Sequence, residues 1–177
     1  MLNIRNRLFS EMGVNRPVIA LSIARMADAM GNSILIILIP IYVAKMPDNY
    51  LNLPVPVLVG LLISLFGFIV SFLQPLMGAL SDRLDRRKIL IQTGLAIIGI
   101  STLSFIRADQ FLDIVVLRIL QGLGVALTIP ASLSLMSAIT HKSTRGGAMG
   151  VFSTFRVVGF ASGYRRPRHP EVVFLWQ

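Results

Sequence analysis

The sequence has no cysteine and only two histidines among its 177 residues. Disulfide frameworks, thiolate zinc sites and histidine-rich metal sites therefore lack their ligands, and we expect neither a metal nor a cofactor. Charge is also scarce, because 14% of the residues are charged, whereas soluble domains carry about 25%. With 54% hydrophobic residues, the composition argues against a water-soluble globular protein.

The hydrophobic residues gather in runs near the length of about 20 residues that a helix needs to cross a bilayer. Five runs cover about residues 17–44, 57–80, 89–106, 111–139 and 147–163. Backbone amides in lipid must be bonded within their own segment, so each run is predicted to be a helix. The predicted fold class is all-α: a polytopic membrane helix bundle with four complete transmembrane helices and a partial fifth.

The net charge of +9 raises the alternative of a nucleic-acid-binding protein, but the placement of the basic residues argues against nucleic acid. Most basic residues outside the runs fall on one side of the predicted bundle: Arg5, Arg7, Arg16, Arg83, Arg86, Arg87, Lys88, Lys142 and Arg145. Only Lys45 and Arg107 fall on the other side. Since cytoplasmic segments carry the excess of lysine and arginine, we predict a multi-pass cell-membrane protein with a cytoplasmic N-terminus and the lipid bilayer as its partner.

The segment GALSDRLDRRK lies between the second and third runs. It resembles the signature loop of the major facilitator superfamily, G-x-L-a-D-r-x-G-r-r-k, with Asp85 in place of the second glycine. The matching residues are Gly78, Leu80, Asp82, Arg83, Arg86, Arg87 and Lys88. The resemblance implies a loop involved in conformational change; the alternative is a loop whose charges only set the topology.

The fourth run contains VLRILQGLGVAL, which is similar to the second signature of the same family at Arg118, Gln121, Gly122 and Gly124. Arg118 and Gln121 are three residues apart and share a helix face. An arginine in an apolar helix is costly and normally faces a cavity or a partner; the alternative is an arginine that extends to the membrane boundary. In proton-coupled members, the resemblance implies a role for this arginine in proton coupling.

The first run carries a polar face of Ser22, Arg25, Asp28 and Asn32. Asp28 lies roughly 16 Å from Pro17 at about 1.5 Å per residue, close to the middle of a hydrocarbon core of about 30 Å. An acid at that depth is a functional candidate by default.

The residues from Asp28 to Gly31, followed by Pro40, are also similar to the first helix of drug/proton antiporters. The predicted coupling set is therefore Arg25, Asp28, Asn32, Arg118 and Gln121. A purely structural pair between Arg25 and Asp28 is the alternative.

Glycines at helical spacing predict close packing of helices. The predicted packing positions are Gly60, Gly67, Gly122, Gly159 and Gly163. Gly159 and Gly163 also match the start of the family's antiporter signature, G-x-x-x-G-P-x-x-G-G, but the match stops at Tyr164. We expect residues 1–163 to be a partial N-terminal helical domain and 164–177 a non-matching basic tail. A shifted reading frame or a truncation is expected, with a native divergent tail as the alternative.

The leading functional hypothesis is part of a proton-driven exporter of amphipathic, drug-like molecules, whose partners are its substrate, protons and a missing C-terminal half. Alternating access requires two halves, so these residues alone are not expected to transport. The alternative is a small membrane protein that binds or regulates a full-length transporter. We expect no enzyme, because no nucleophile with a base, no paired carboxylates and no metal cluster lie within the runs.

Overall fold

The computed structural model describes residues 13–45, 53–84 and 86–163, and every regular element in these ranges is a helix. The helices are α1 (Arg16–Lys45), α2 (Val55–Leu84), α3 (Arg87–Ser104), α4 (Phe111–Ile139) and α5 (Arg145–Gly163), and a 3-10 turn at Phe105–Arg107 extends α3. The predicted all-α class is confirmed. The expectations for the tail, 164–177, lie outside the described residues.

Four of the described helices are long and apolar enough to cross a membrane: α1, α2, α3 with its 3-10 turn, and α4. Helix α5 has 19 residues and is not one of these four. The prediction of a polytopic membrane bundle with four complete transmembrane helices is therefore confirmed.

The segment between α2 and α3 differs from the sequence prediction. Ser81, Asp82 and Arg83 were assigned to a loop, but α2 continues to Leu84 and α3 begins at Arg87. The reason is length: the 30 residues of α2 extend about 45 Å at about 1.5 Å per residue, beyond a hydrocarbon core of about 30 Å. The helix is therefore long enough to continue past the hydrocarbon core, and these three polar residues lie in its last turn.

Helix α4 packs along both α2 and α3. A Cβ atom placed on Gly124 would lie 2.8 Å from the Gly94 carbonyl oxygen of α3 and 2.7 Å from Ile98 Cγ1. A Cβ on Gly122 would lie 2.8 Å from Ile69 Cγ2 of α2. The absence of side chains at these two glycines therefore permits the close approach of three helices.

Helices α1 and α5 pack together and run parallel. Gly159 lies against the backbone of Met26, and Gly163 lies against Met30 and Ser33. A step of four residues on one helix thus matches a step of four on the other, as parallel helices require. Ser33 Oγ donates a hydrogen bond of 3.0 Å to the Phe160 carbonyl.

Gly60 and Gly67 differ from the other predicted packing glycines. No described atom lies within 4 Å of a Cβ placed on either of them. Within the described residues no helix approaches α2 at these positions, so their role in packing stays a prediction.

Two hydrophobic clusters lie at the two ends of the bundle. The distal cluster is nearer the α1–α2 connection and contains Leu35, Ile39, Val43, Leu58, Leu62, Phe105, Ala108, Phe111, Ile114 and Leu117. The proximal cluster is nearer the α2–α3 connection and contains Val18, Leu21, Ile91, Ala131, Met136, Ala148 and Phe152. Along their helices, Asp28, Arg118 and Gln121 lie between the levels of these two clusters.

Candidate functional site

A cleft of about 460 Å³ lies among α1, α2, α3 and α4. Its wall is mostly apolar, as is typical of small-molecule sites. Four polar side chains interrupt this wall: Asp28 and Asn32 from α1, Thr102 from α3 and Gln121 from α4. Three of them belong to the predicted coupling set.

Helix α1 brings Asp28 and Asn32 to the cleft because residues four apart share a helix face. Arg25 Nη1 donates a hydrogen bond to Asp28 Oδ2 and forms an ion pair with it. The side chains are largely buried, with 10% of Arg25 and 6% of Asp28 exposed. The ion pair and the lining of the cleft therefore coexist, although the sequence analysis treated them as alternatives.

Ser22 belongs to the same polar face in the sequence but has a local role in the structure. It is fully buried, and its hydroxyl donates a hydrogen bond of 2.8 Å to the Val18 carbonyl of its own helix. The residue is not among those that line the cleft.

Arg156 of α5 interacts electrostatically with both Arg25 and Asp28. Asp28 lies about 18 Å along α1 from Arg16, and Arg156 about 16 Å along α5 from Arg145, at about 1.5 Å per residue. Because α1 and α5 are parallel, Asp28 and Arg156 lie at similar depths in the bundle. The sequence analysis did not include Arg156 in the site, because nothing in its own segment indicates that α5 packs on α1.

Arg118 is almost fully buried, with 1% of the residue exposed. Its guanidinium lies over two aromatic rings, 5.5 Å from the centroid of Phe66 and 5.9 Å from that of Phe105. Such contacts stabilise a cation by about 0.5–2 kcal/mol. In this structure the side chain is enclosed by its neighbours.

A chain of hydrogen bonds connects Arg118 to the cleft. Its Nη1 donates to Gln121 Oε1 at 3.1 Å, and Gln121 Nε2 donates to Thr102 Oγ1 at 3.1 Å. Thr102 Oγ1 donates in turn to the Ile98 carbonyl at 2.8 Å. Arg118 Nε and Nη2 have no hydrogen-bond partner among the described residues. The sequence analysis missed Thr102, since a lone threonine in an apolar helix carries no functional signal.

The residues of the signature loop lie away from the cleft, where α2 and α3 meet the last turns of α4. Asp82 Oδ1 accepts a hydrogen bond of 3.5 Å from Ser134 Oγ, and Arg87 Nη1 donates one of 3.2 Å to the Ser134 carbonyl. A Cβ on Gly78 would be in ordinary contact with Pro130, at 3.7 Å. Arg83, Arg86 and Lys88 are exposed. The motif thus connects three helices.

Comparison with known proteins gives a family for this arrangement. The sequence model of the family described as Major Facilitator Superfamily matches residues 21–164. The chain is 34% identical over 97 residues to "Multidrug transporter QDR2" of Candida glabrata, which is 54% of this chain and 16% of that relative.

Two bacterial relatives are also similar to this chain. The chain is 30% identical over 105 residues to "Multi-drug resistance efflux pump PmrA" of Streptococcus pneumoniae, covering 59% of this chain and 26% of the pump. It is 28% identical over 111 residues to "Arabinose-proton symporter" of Bacillus subtilis, covering 62% and 23%. The chain therefore spans less than a third of the length of each of these relatives.

Proposed function

Since this chain belongs to the Major Facilitator Superfamily, we propose that it forms part of a proton-coupled exporter of amphipathic, drug-like molecules. The family and the multidrug relatives support membrane transport. The observation that carries the finer proposal is the apolar cleft with the carboxylate of Asp28 in its wall. An apolar wall accepts the body of an amphipathic molecule, and a carboxylate at mid-depth accepts a proton.

Coupling follows from the ion pair between Arg25 and Asp28. A proton on Asp28 removes the negative charge that neutralises Arg25, so protonation changes the charge next to the bound molecule. Arg156 interacts with the same pair. The cleft therefore binds a charged substrate with different affinities before and after protonation, which couples proton binding to substrate binding.

The binding part of the proposal is tested by filling the cleft. Gly31 lines it, and a Cβ there meets no atom within 4 Å, so Gly31→Phe has room to place its ring in the cleft. We expect an uncharged amphipathic dye, 1-pyrenebutanol, to bind the chain in nanodiscs of zwitterionic lipid, with empty nanodiscs subtracted. Gly31→Phe should weaken binding at least tenfold.

The matched control is Gly60→Phe, since Gly60 has equal space but lies on α2 away from the cleft. Equal binding by both variants contradicts the proposed site. Cells that express only these 177 residues should not export the dye, because alternating access requires a second half. Export from such cells would contradict this part of the proposal.

The proposed orientation places the N-terminus in the cytoplasm of the cell, with the α4–α5 connection on the same side. The natural chain has no cysteine, so single cysteines report topology without background. In intact cells, a membrane-impermeant maleimide should label Asp109→Cys and leave Lys142→Cys unlabelled until the membrane is opened. Both parent residues are exposed, and the reverse labelling pattern refutes the orientation.

A second candidate function is the binding of a full-length transporter. The open positions Gly60 and Gly67 on α2 favour it, since no described helix covers them. Co-purification with a co-expressed transporter of the family, lost in Gly67→Leu, is the expected result. Rapid degradation of the chain without co-purification would count against it.

A further inference from the structure

The proposed function leaves the charge of the transported molecule open. Away from the first and last turns, the five helices contain four charged residues: Arg25, Asp28, Arg118 and Arg156. Asp28 neutralises Arg25 and Arg156 is exposed, so the buried part of the described helices keeps one uncompensated positive charge, that of Arg118. Charges inside a bilayer are costly and mark functional sites. The excess therefore requires an explanation beyond the Arg25–Asp28 pair.

The guanidinium of Arg118 has unused hydrogen-bonding capacity. One of its groups donates to Gln121, but Nε and Nη2 are buried without a partner among the described residues. A buried donor without an acceptor is destabilising by about 1–3 kcal/mol, more when it is charged. The aromatic contacts compensate for part of this cost, yet they accept no hydrogen bond from Nε or Nη2 in the geometry described.

Arg118 lies directly behind the wall of the cleft. Phe66 and Gln121, which contact the guanidinium, both line the cleft, as does Thr102, the next residue in the hydrogen-bond chain. Arg118 itself does not line the cleft, so a molecule in the cleft would reach the unpartnered donors after a change of rotamer at one of these side chains. The opposite wall carries Asp28, whose charge interacts with Arg25 and Arg156 together.

We infer that the cleft binds amphipathic organic anions, with the acidic head of the molecule at Arg118 and its apolar body along the hydrophobic wall. A carboxylate, sulfonate or phosphate supplies the acceptors that Nε and Nη2 lack, and arginine binds such groups with two parallel hydrogen bonds. The apolar body would contact Leu35, Phe66, Ile98, Leu103 and Val125. A cation of the same shape would meet a net repulsion.

The inference rests on the proposed function, because it concerns the same cleft. It also gives Asp28 a definite effect on the anion. Among the described residues, Asp28 has the one negative side chain that lines the cleft, so its neutralisation should strengthen anion binding.

Three pyrene probes with the same apolar body test the charge preference: 1-pyrenebutanoate, pyrenebutyltrimethylammonium and 1-pyrenebutanol. We expect the whole chain in zwitterionic nanodiscs to bind the carboxylate at least tenfold more tightly than the ammonium. Asp28→Asn should raise the ratio of carboxylate to alcohol affinity several-fold. Binding of the alcohol and the ammonium without preference for the carboxylate overturns the inference and leaves the proposed function intact. No binding of any probe overturns the proposed function as well.

Substitution of the arginines locates the charge that is responsible. Arg118→Gln should lower the ratio of carboxylate to alcohol affinity about tenfold, whereas Arg118→Lys should keep part of the preference because it keeps the charge. Arg107→Gln is the control, since Arg107 is exposed in the 3-10 turn outside the cleft. Arg118→Lys keeps the test decisive if Arg118→Gln fails to fold, because lysine lacks the planar group that makes two parallel hydrogen bonds. Unchanged carboxylate affinity in the folded Arg118 variants refutes the inference.

Discussion

Helices α2 and α4 run side by side, but they have opposite relations between hydrophobicity and burial. In its most apolar stretch α2 has a mean hydropathy of 2.5, and 11% of that stretch is buried. The corresponding values for α4 are 1.9 and 44%. In a soluble protein the more apolar helix would be the more buried one. In lipid the solvent is itself apolar, so the more polar helix is the one that the protein encloses.

The residues on each helix show the same contrast. The buried residues of α4 include Arg118, Gln121, Gly122 and Thr128, all of which are small or polar. On α2, Phe68 and Phe72 are more than half exposed, and their rings stack at 6.0 Å. Burial on these two helices therefore does not follow the hydrophobicity of the side chain.

The largest expected effect is that of a leucine at a glycine of α4. In Gly124→Leu the first added carbon already conflicts with the Gly94 carbonyl oxygen and Ile98, so α3 and α4 must separate. Overpacking of this kind costs about 3 kcal/mol. The free energy of unfolding, measured by SDS titration in mixed micelles with limited proteolysis as the readout, should fall by that amount.

Gly67→Leu on α2 is the matched control, because a Cβ there meets nothing within 4 Å. Its unfolding free energy should stay within about 0.5 kcal/mol of the natural chain, as for other substitutions at open positions. If both leucines are equally harmful, the contrast between the two helices is wrong.

A smaller effect is expected where a large side chain is shortened. Met136 of α4 is fully buried in the proximal cluster, so Met136→Ala leaves a cavity and should cost about 2 kcal/mol, the lower end of the range for such truncations. Leu76 of α2 is 54% exposed. In Leu76→Ala the exposed surface stays in contact with lipid, and no buried cavity forms. The same SDS titration should find no change for this variant, and a loss as large as that of Met136→Ala would show that α2 has a packing partner at this position.

The helices themselves could be predicted from the sequence, because apolar runs of sufficient length have one backbone solution in lipid. Side-chain periodicity also predicted that Asp28 and Asn32 share a face, and the family motif indicated Gln121; all three line the cleft. The pairing of helices could not be predicted in this way. Gly67 and Gly124 look equivalent in sequence, but only Gly124 lies against another helix.

The same limit explains why Thr102, Phe66 and Arg156 were missed. Their functional environment is created by residues far away in the chain, so no local pattern marks them. Ser22 is the opposite case, since helical spacing placed it on the polar face but its hydroxyl bonds to its own backbone. The spacing of residues in the sequence predicts which side chains share one face of a helix. The functional environment in this bundle depends on which faces of different helices pack together.

The smallest expected effect compares two glutamines, Gln121 of α4 and Gln74 of α2. Gln121 bonds to both Arg118 and Thr102, so Gln121→Leu should cost about 1 kcal/mol, within the range of hydrogen bonds measured in membrane proteins. Gln74 is partly exposed, and Gln74→Leu should leave stability unchanged or raise it slightly. A double-mutant cycle of Gln121→Leu with Thr102→Val isolates the bond between α3 and α4, with an expected coupling of about 0.6 kcal/mol. Zero coupling would mean that the glutamine acts only through Arg118 and that its bond to Thr102 does not stabilise the contact between α3 and α4.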